Sequence, residues 1–470
     1  MAGMLVGRRG ARIALFDGVL IFLSLVLSAY VDRPVAGWRI VLELLVHWTG
    51  ATTIGFVLHF LTFYVFELYN LSIDFTKSIP AFRVVTAVAV AGVLIALASF
   101  VFPLWGFSRP IFAVHGLTLT TFMLVSRWWH SRHNVDRLPP ERALLVTVGM
   151  TPDDVVEEFF RNPESRYHMV GSVPVSAAPQ SLKTTPVRGS SIPPPVGTVH
   201  DCEEAMAREG AHSLIVAGID RLPRDAATEF LRLKDRGVEV HDLCDLYQDL
   251  ASRLPLDLVD HRYFLREPSF TRDTQPVLSN LTRVLDLCAA LALMVLSAPL
   301  WVVAFVGIKL TMPGPVFFSQ ERVGKGEVPY TVYKFRSMRL DAEKNGPQWA
   351  AGSGDPRVTP FGRLLRRSRV DELPQLWNVL IGDMSLVGPR PERPVFVAEL
   401  KKEIPYYGLR FQVKPGVTGW AQVNYRYGAS VEDTRVKLSY DLFYVQHRSI
   451  ALYLVTLIKT VTTVMFKPGS

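Results

Sequence analysis

Four apolar stretches fall within the first 125 residues, at Ile13–Val31, Val41–Phe66, Val84–Phe102 and Ile111–Val125. Each is close to the ~20 residues that a helix needs to cross about 30 Å of hydrocarbon, where backbone polar groups must be satisfied within their own segment. Four such runs in succession predict a head of four transmembrane helices. Arg8, Arg9 and Arg12 precede the first run, and Arg127, Arg132, Arg137 and Arg142 follow the fourth. Positive charge at both outer ends of an even number of spans places both ends of the head on the cytoplasmic side.

The remaining 345 or so residues are enough for more than one core, so two or three domains are expected in all. The mean hydropathy of +0.21 points to membrane segments. A net charge of +8 admits nucleic acid or an anionic membrane surface as partner. No RNP-like aromatic motif, zinc-finger spacing or long basic tract is present, so the membrane is expected and nucleic acid is not. Cys202, Cys244 and Cys288 are odd in number and widely spaced, which suits neither a disulfide framework nor a zinc site.

From Arg142 to about Leu254 the pattern becomes α/β. Strands are expected at Arg142–Gly149, Tyr167–Val175, Ala211–Ala217 and Gly237–His241, with helices after the first and over Arg224–Asp235. Alternation of strand and helix implies a small Rossmann-like sheet. The G-x-G-x-x-G fingerprint is missing after Val148, so a structural or regulatory domain is expected rather than a dinucleotide site. Ala177–Gly197, rich in proline and serine, reads as a loop, and His261–Pro276 as a connector.

Leu281–Leu310 is long enough to span, but Ser297-Ala298-Pro299 sits near its middle. Proline removes a helix hydrogen bond and crowds the preceding turn, so a kink is expected there, with Ser297 available to a freed carbonyl. A full span would carry the basic and acidic residues that follow away from the cytoplasm; a broken, re-entrant helix returns them. Arg283 and Asp286 at its start read either as headgroup anchors or as ordinary helix-end charges. Tyr440–Met465 is too interrupted for a span and reads as an interfacial amphipathic helix.

Between those membrane contacts, Arg363–Glu392 sets Asp371 and Glu372 among Arg363, Arg366, Arg367, Arg369 and Arg390. An Asp-Glu pair alone is ordinarily a helix cap with surface salt bridges. Surrounded by fixed positive charge, a carboxylate becomes able to attack a phosphate whose own charge is masked. Pro374 places the pair near a helix N-terminus, which favours an ionised carboxylate or a bound phosphate.

Six blocks in order carry a resemblance: Gly314–Gly324, Tyr333–Arg339, Asp355–Leu380, Gly382–Pro394, Lys414–Asn424 and Lys437–Val445. From roughly Leu278 onward the chain resembles the bacterial sugar transferase family, the monotopic phosphoglycosyl transferases, and with its head and central domain it looks like their large polytopic members. The fold this implies is a membrane protein in three parts. These are a four-helix transmembrane bundle (1–130), a Rossmann-like α/β domain (131–260) and, after a linker (261–277), an α/β catalytic domain (278–470) with a re-entrant helix and interfacial helices. The activity it implies is transfer of a sugar 1-phosphate from a UDP-sugar, glucose or galactose by default, to undecaprenyl phosphate. Asp371 is then the nucleophile and a Mg²⁺ ligand together with donor oxygens. Glu372 manages the acceptor's proton, helps hold the metal, or only pairs with Arg369. Lys334, Arg336, Arg363, Arg367, Arg390, Glu392 and Asp441 bind substrate or phosphate, with Asp441 either touching the donor or ordering the site. Ser297 and Pro299 mark the re-entrant break; the family often has serine where Ala298 stands. A homodimer in the inner membrane is compatible with this. The competing class is a non-catalytic membrane scaffold or sugar-nucleotide sensor, and an NAD-dependent oxidoreductase is disfavoured by the missing fingerprint.

Overall fold

The computed structural model describes residues 8–32, 49–66, 68–69, 78–101, 109–133, 141–149, 153–162, 165, 167–175, 192–271, 275–342, 344, 355–425, 428 and 430–466. Residues 41–48 of the second apolar run, residue 102 of the third and 177–191 of the proline-rich stretch lie outside them. The chain divides into two compact units, residues 1–140 and 141–470.

In the first unit, helices occupy the greater part of the described residues of all four apolar runs: α1 (Arg8–Asp32), α2 (Thr49–Val65), α3 (Ser78–Val101) and α4 (Arg109–His133). Two of them contain stretches long and apolar enough to cross a membrane, Ile13–Val31 and Ile111–His130, while the apolar parts of α2 and α3 are shorter, Thr52–Tyr64 and Arg83–Leu97. Leu15, Val57, Leu61, Val93, Leu97 and Leu117 point outward, whereas polar side chains are turned in. That inversion suits a lipid surround, where outward apolar groups cost nothing and polar ones seek one another. Arg127 of α4 meets Asp17 of α1 through two hydrogen bonds of 3.1 and 2.5 Å, both side chains buried. Ser24 donates to the carbonyl of Ile21 (2.8 Å), which leaves its oxygen to accept from His115 Nδ1 at 2.8 Å.

The second unit opens with a parallel four-stranded sheet, β1 (Glu141–Val148), β2 (Tyr167–Val175), β3 (Ser213–Ala217) and β4 (Glu239–Asp242), in the order β2-β1-β3-β4. Its helices are α5 (Asp153–Arg161), α6 (Cys202–Glu209), α7 (Arg224–Asp235) and α8 (Leu243–Ala251). Ala143, Leu145, Ile215 and Ala217 face α5 and α8; Leu144, Val146, Leu214 and Val216 face α6 and α7. Coverage on both faces is why β1 and β3 read as unbroken apolar runs rather than alternating ones. Helix α6 has no counterpart in the sequence pattern, because only Cys202, Ala205 and Met206 of it are buried.

The expected connector is folded: α9 (His261–Arg266) and the turn Pro268–Phe270 bury Tyr263 and Phe270. These join Cys244, Leu254 and Val259 in one core with Phe396, Leu400, Tyr407, Phe411, Leu438 and Leu442. The sheet region and the C-terminal region are therefore packed as a continuous body. Backbone bonding crosses the seam as well, from Leu254 N to Ser439 O at 3.0 Å.

Helix α10 (Pro276–Thr311) is 36 residues long and remains helical through Pro299. Ser297 accepts the indole N–H of Trp301 at 3.1 Å and donates to the Met294 carbonyl at 3.4 Å. Leu291, Val295, Leu296, Leu300, Val302 and Val303 in its middle are exposed, while Ala290 on one side and Ala304 and Ile308 on the other are buried. The rest comprises the antiparallel hairpin β5 (Phe317–Val323) and β6 (Pro329–Phe335), then α11 (Pro360–Arg367), α12 (Gln375–Ile381), β7 (Ser385–Val387), α13 (Pro394–Glu403), β8 (Gly416–Thr418), α14 (Trp420–Asn424), α15 (Val431–Gln446) and α16 (Ile450–Phe466). Strands β7 and β8 pair in parallel so closely that a Cβ on Gly416 would sit 2.1 Å from Gly388 N.

Two expectations are corrected here. Arg283 and Asp286 do not reach for headgroups. Arg283 donates to the carbonyls of Val379 and Leu380 and so closes the end of α12, the second bond measuring 2.8 Å. Asp286 accepts from Leu386 N (2.8 Å), Tyr453 OH (2.7 Å) and Ser385 Oγ (3.1 Å), tying α10 to β7 and α16. The run Tyr440–Met465 is not one interfacial helix but parts of two. Asp441, Leu442 and Tyr444 of α15 are buried, and α16 starts afresh where Ser449 Oγ accepts Leu452 N at 3.1 Å.

Candidate active site

The acidic pair sits on a single turn, Val370–Glu372, between α11 and α12. Thr359 caps α11, its Oγ1 accepting Gly362 N at 3.0 Å, and Gly362 lies so close to Ser337 O that a Cβ there would approach to 1.9 Å. After α11, Arg369 takes a left-handed conformation with φ +59, a strained choice for a side chain with a Cβ and one that concentrates at functional sites. On the far side, Pro374 starts α12, and Asn378 of α12 acts as an edge partner for β6: Tyr333 N donates to its Oδ1 at 3.1 Å and its Nδ2 to Thr331 O at 2.7 Å. Docking α12 on β6 in that register brings Lys334 onto the turn.

Glu372 is held by three cations, Arg390 at 2.8 Å, Lys334 at 3.4 Å and Arg369 at 3.8 Å. Burial pushes its carboxyl up, but Arg390, Lys334 and Arg369 together outweigh burial and hold it well below the ordinary carboxylate range. Asp371 goes the other way. Burial first, and the charge of Glu372 second, push it up to about 6, against the pull of Lys334, Arg366 and Arg369. Lys334 is held below its usual value by burial, partly offset by Glu372. Two adjacent carboxylates thus divide the work. One is an anion locked to cations; the other has its value raised toward neutrality and no ion pair among the described residues, the environment suited to a nucleophile.

The other expected residues are distributed as follows. Arg390 is on the pair. Arg336 is not; its guanidinium donates to Pro313 O (2.7 Å) and Met312 O (2.9 Å) and closes the exit of α10. Glu392 pairs with Arg322 at 3.6 Å. Arg363 and Arg367 are exposed, one turn apart on α11. Asp441 is buried and bonded to Arg410, which connects it to the site through another side chain. Arg366 and Arg369 act on the pair by their charge, and Asn378 acts on it through the docking of α12 on β6. Arg366 and Arg369 were visible as charge; the bonding of Asn378 to a strand edge has no sequence signal of its own. Among the described residues no group of three or more His, Cys, Asp or Glu is placed to hold a metal. A divalent ion bound by one carboxylate and by phosphate oxygens needs no such group, and Asp371 fits that role.

Residues 277–467 match the family model described as bacterial sugar transferase. The chain is 46% identical over 229 residues to the UDP-N-acetylgalactosamine-undecaprenyl-phosphate N-acetylgalactosaminephosphotransferase of Aeromonas hydrophila, covering 48% of this chain and 52% of that protein. It is 44% identical over 186 residues to a UDP-glucose:undecaprenyl-phosphate glucose-1-phosphate transferase of Caulobacter vibrioides, covering 39% of this chain and 69% of the relative. A protein of the same description from Escherichia coli (strain K12) is 41% identical over 172 residues, 36% of this chain and 37% of its own length. The first of these matches spans about half of the relative. The acidic turn lies within the residues that the family model matches, and the chain belongs to the bacterial sugar transferase family.

Proposed function

We propose that this protein transfers a sugar 1-phosphate from a UDP-sugar to undecaprenyl phosphate through a covalent adduct on Asp371. The observation that carries it is the opposite tuning of Asp371 and Glu372 on one turn facing four cations, Lys334, Arg366, Arg369 and Arg390. In the first step an Asp371 oxygen attacks the phosphorus bearing the sugar, the bond to the uridine-side phosphate breaks, and UMP leaves with the electron pair. In the second, an oxygen of undecaprenyl phosphate attacks the same phosphorus and Asp371 departs as carboxylate. The acyl phosphate preserves the energy of the donor's anhydride, so no other input is needed. The surplus positive charge stabilises the phosphoryl oxygens as charge shifts among them. Mg²⁺, held by Asp371 with donor oxygens, would supply further neutralisation of phosphate charge.

The acceptor's phosphate lies at headgroup depth, and α10 suits that requirement as a re-entrant helix. Ala290 packs in one core and Ala304 with Ile308 in another, yet both cores include Leu373, beside the acidic turn. A straight helix would separate Ala290 from Ala304 by about 21 Å at 1.5 Å per residue. Folding both ends back toward Leu373 leaves the apolar middle in one leaflet, with the site on the cytoplasmic face. The sheet domain, a parallel sheet in the order β2-β1-β3-β4, serves structure or regulation in this reading. The donor sugar is glucose or galactose, or the N-acetylgalactosamine in the name of the Aeromonas relative.

Purified full-length protein with Mg²⁺ and undecaprenyl phosphate is expected to release UMP from one member of a panel of UDP-glucose, UDP-galactose and UDP-N-acetylgalactosamine. With donor labelled in the sugar-bearing phosphate and no lipid, label should remain on the protein and be released by hydroxylamine. UMP release that requires lipid from the outset, with no labelled protein, would replace the two-step route by direct transfer. Silence across the panel in folded protein would remove the reaction.

A further inference from the structure

Arg390 reaches Glu372 from a loop whose three carbonyls at 389–391 are all engaged. Pro389 O accepts Gly416 N at 3.0 Å, Arg390 O accepts Arg410 Nη2 at 3.0 Å, and Pro391 O accepts Arg322 Nη1 at 3.1 Å. Gly388 N, one residue earlier, donates to Thr418 O at 2.9 Å. The flanking prolines fix their own φ, so three consecutive carbonyls and two rings leave the Arg390 side chain as the mobile part. Of the two guanidiniums beneath the loop, Arg410 is the more deeply set. It is buried in the turn Tyr407–Gln412, its Nε and Nη2 bonded to Asp441 Oδ2 at 3.1 and 2.7 Å and its Nη1 to Tyr407 OH at 2.7 Å. Burying such a pair is costly and, for stability alone, often no better than an apolar substitute. What an apolar substitute would not do is hold a carbonyl of the residue that contacts the acidic turn.

We propose that Arg410, oriented by Asp441 and Tyr407, is a positioning residue for the transfer: it fixes the backbone of Arg390 so that the Arg390 guanidinium meets Glu372 and the donor phosphate in one geometry. This rests on the reaction proposed above and extends it to a residue outside the carboxylate cluster. A misplacement of about 1 Å at a charged contact can cost on the order of 100-fold in rate.

The test is a cycle of Arg410→Gln, Arg390→Ala and the double variant in the full-length protein. Arg410→Gln is expected to lower kcat/KM by on the order of 100-fold, and Arg410→Lys, which keeps the charge and one donor, should recover part of it. A loss of folded protein alone would lower the active fraction without changing KM, whereas a displaced Arg390 should raise KM for the UDP-sugar as well as lower kcat. The double variant should be no worse than Arg390→Ala. Multiplying losses, or an unchanged KM, would overturn the proposal. Should Arg410→Gln not fold, Tyr407→Phe removes one bond to Arg410 and must show a smaller change of the same kind, and no change overturns the idea. Amide hydrogen exchange over residues 388–392 separates this inference from the reaction itself. Faster exchange in Arg410→Gln is expected even if wild type releases no UMP, and unchanged exchange would overturn the clamp.

Discussion

In the head, Asp17 and Arg127 meet through paired hydrogen bonds, both buried, with the Tyr69 ring 5.9 Å from the guanidinium and Arg127 Nε left without a partner among the described residues. At the acidic turn, two carboxylates face four cations, and the two share them unequally. Charge there is balanced, one against one, and the contact joins α1 to α4. A cluster with surplus positive charge is open, and the missing negative charge is what a diphosphate brings. The contrast separates charge that holds a structure from charge that awaits a ligand, though both are buried arginine–carboxylate contacts.

The sharpest break in that comparison is Asp371→Asn, which should cut kcat at least about 10⁴-fold while the protein stays folded and membrane-bound. Substantial turnover in steady-state UMP release would return Asp371 to the structural class. Next, Asp17→Asn should destabilise the head by about 3–5 kcal/mol because Arg127 is left unpaired, and Asp17→Leu with Arg127→Met together should restore most of it. Thermal unfolding in detergent reads both, and a double variant as unstable as the single would mean that the pair is not self-contained. Wild-type kcat/KM is expected to fall as pH drops through about 6, where Asp371 takes up a proton. Glu372→Gln should lose on the order of 100-fold in kcat/KM and move that limb to lower pH, since a like charge beside Asp371 is gone. Burial persists, so the limb should stay above the ordinary 3.8, and an unmoved limb would leave burial as the sole cause.

The smallest effect concerns stability. The folded-state value for Asp371 lies above 3.8, so its ionisation opposes folding: the penalty is full above about pH 6, fades between about 6 and 3.8, and is gone below 3.8. Asp371→Asn should therefore melt a few degrees higher than wild type near pH 7.5, with no gain near pH 3.5. An equal gain at both would point to packing rather than charge.

What could be read in the chain was whatever is local. The acidic pair, Lys334 and Arg390 lie within short motif blocks. Strands β1 and β3 are visible because buried strands write continuous apolar runs. Arg336 misleads because it follows Lys334 by two, the spacing of one strand face, yet β6 ends at Phe335 and the chain turns toward α10. Arg283 and Asp286 have the chemistry of headgroup anchors, and only their partners some 96 to 167 residues away decide otherwise. The start of α15 was legible in principle, since Ser430 and Asp433 form a capping box, as was Ser449 before the apolar run of α16. Arg410 carries no such mark; its partner Asp441 is 31 residues on, in a different helix.

The shared core between the sheet region and the C-terminal helices also has a consequence in time. Tyr263 meets Gln446 across 183 residues, and Leu254 takes its backbone partner from Ser439. A chain emerging from the ribosome can complete the parallel sheet and insert α10 long before α15 exists, so until then Tyr263, Phe396 and Tyr407 lack the helix that covers them. Loop closure over such separations is slow compared with helix or hairpin formation. The membrane helices can thus form first, and the contact that sets Asp441 beneath Arg410 comes last, when α15 docks.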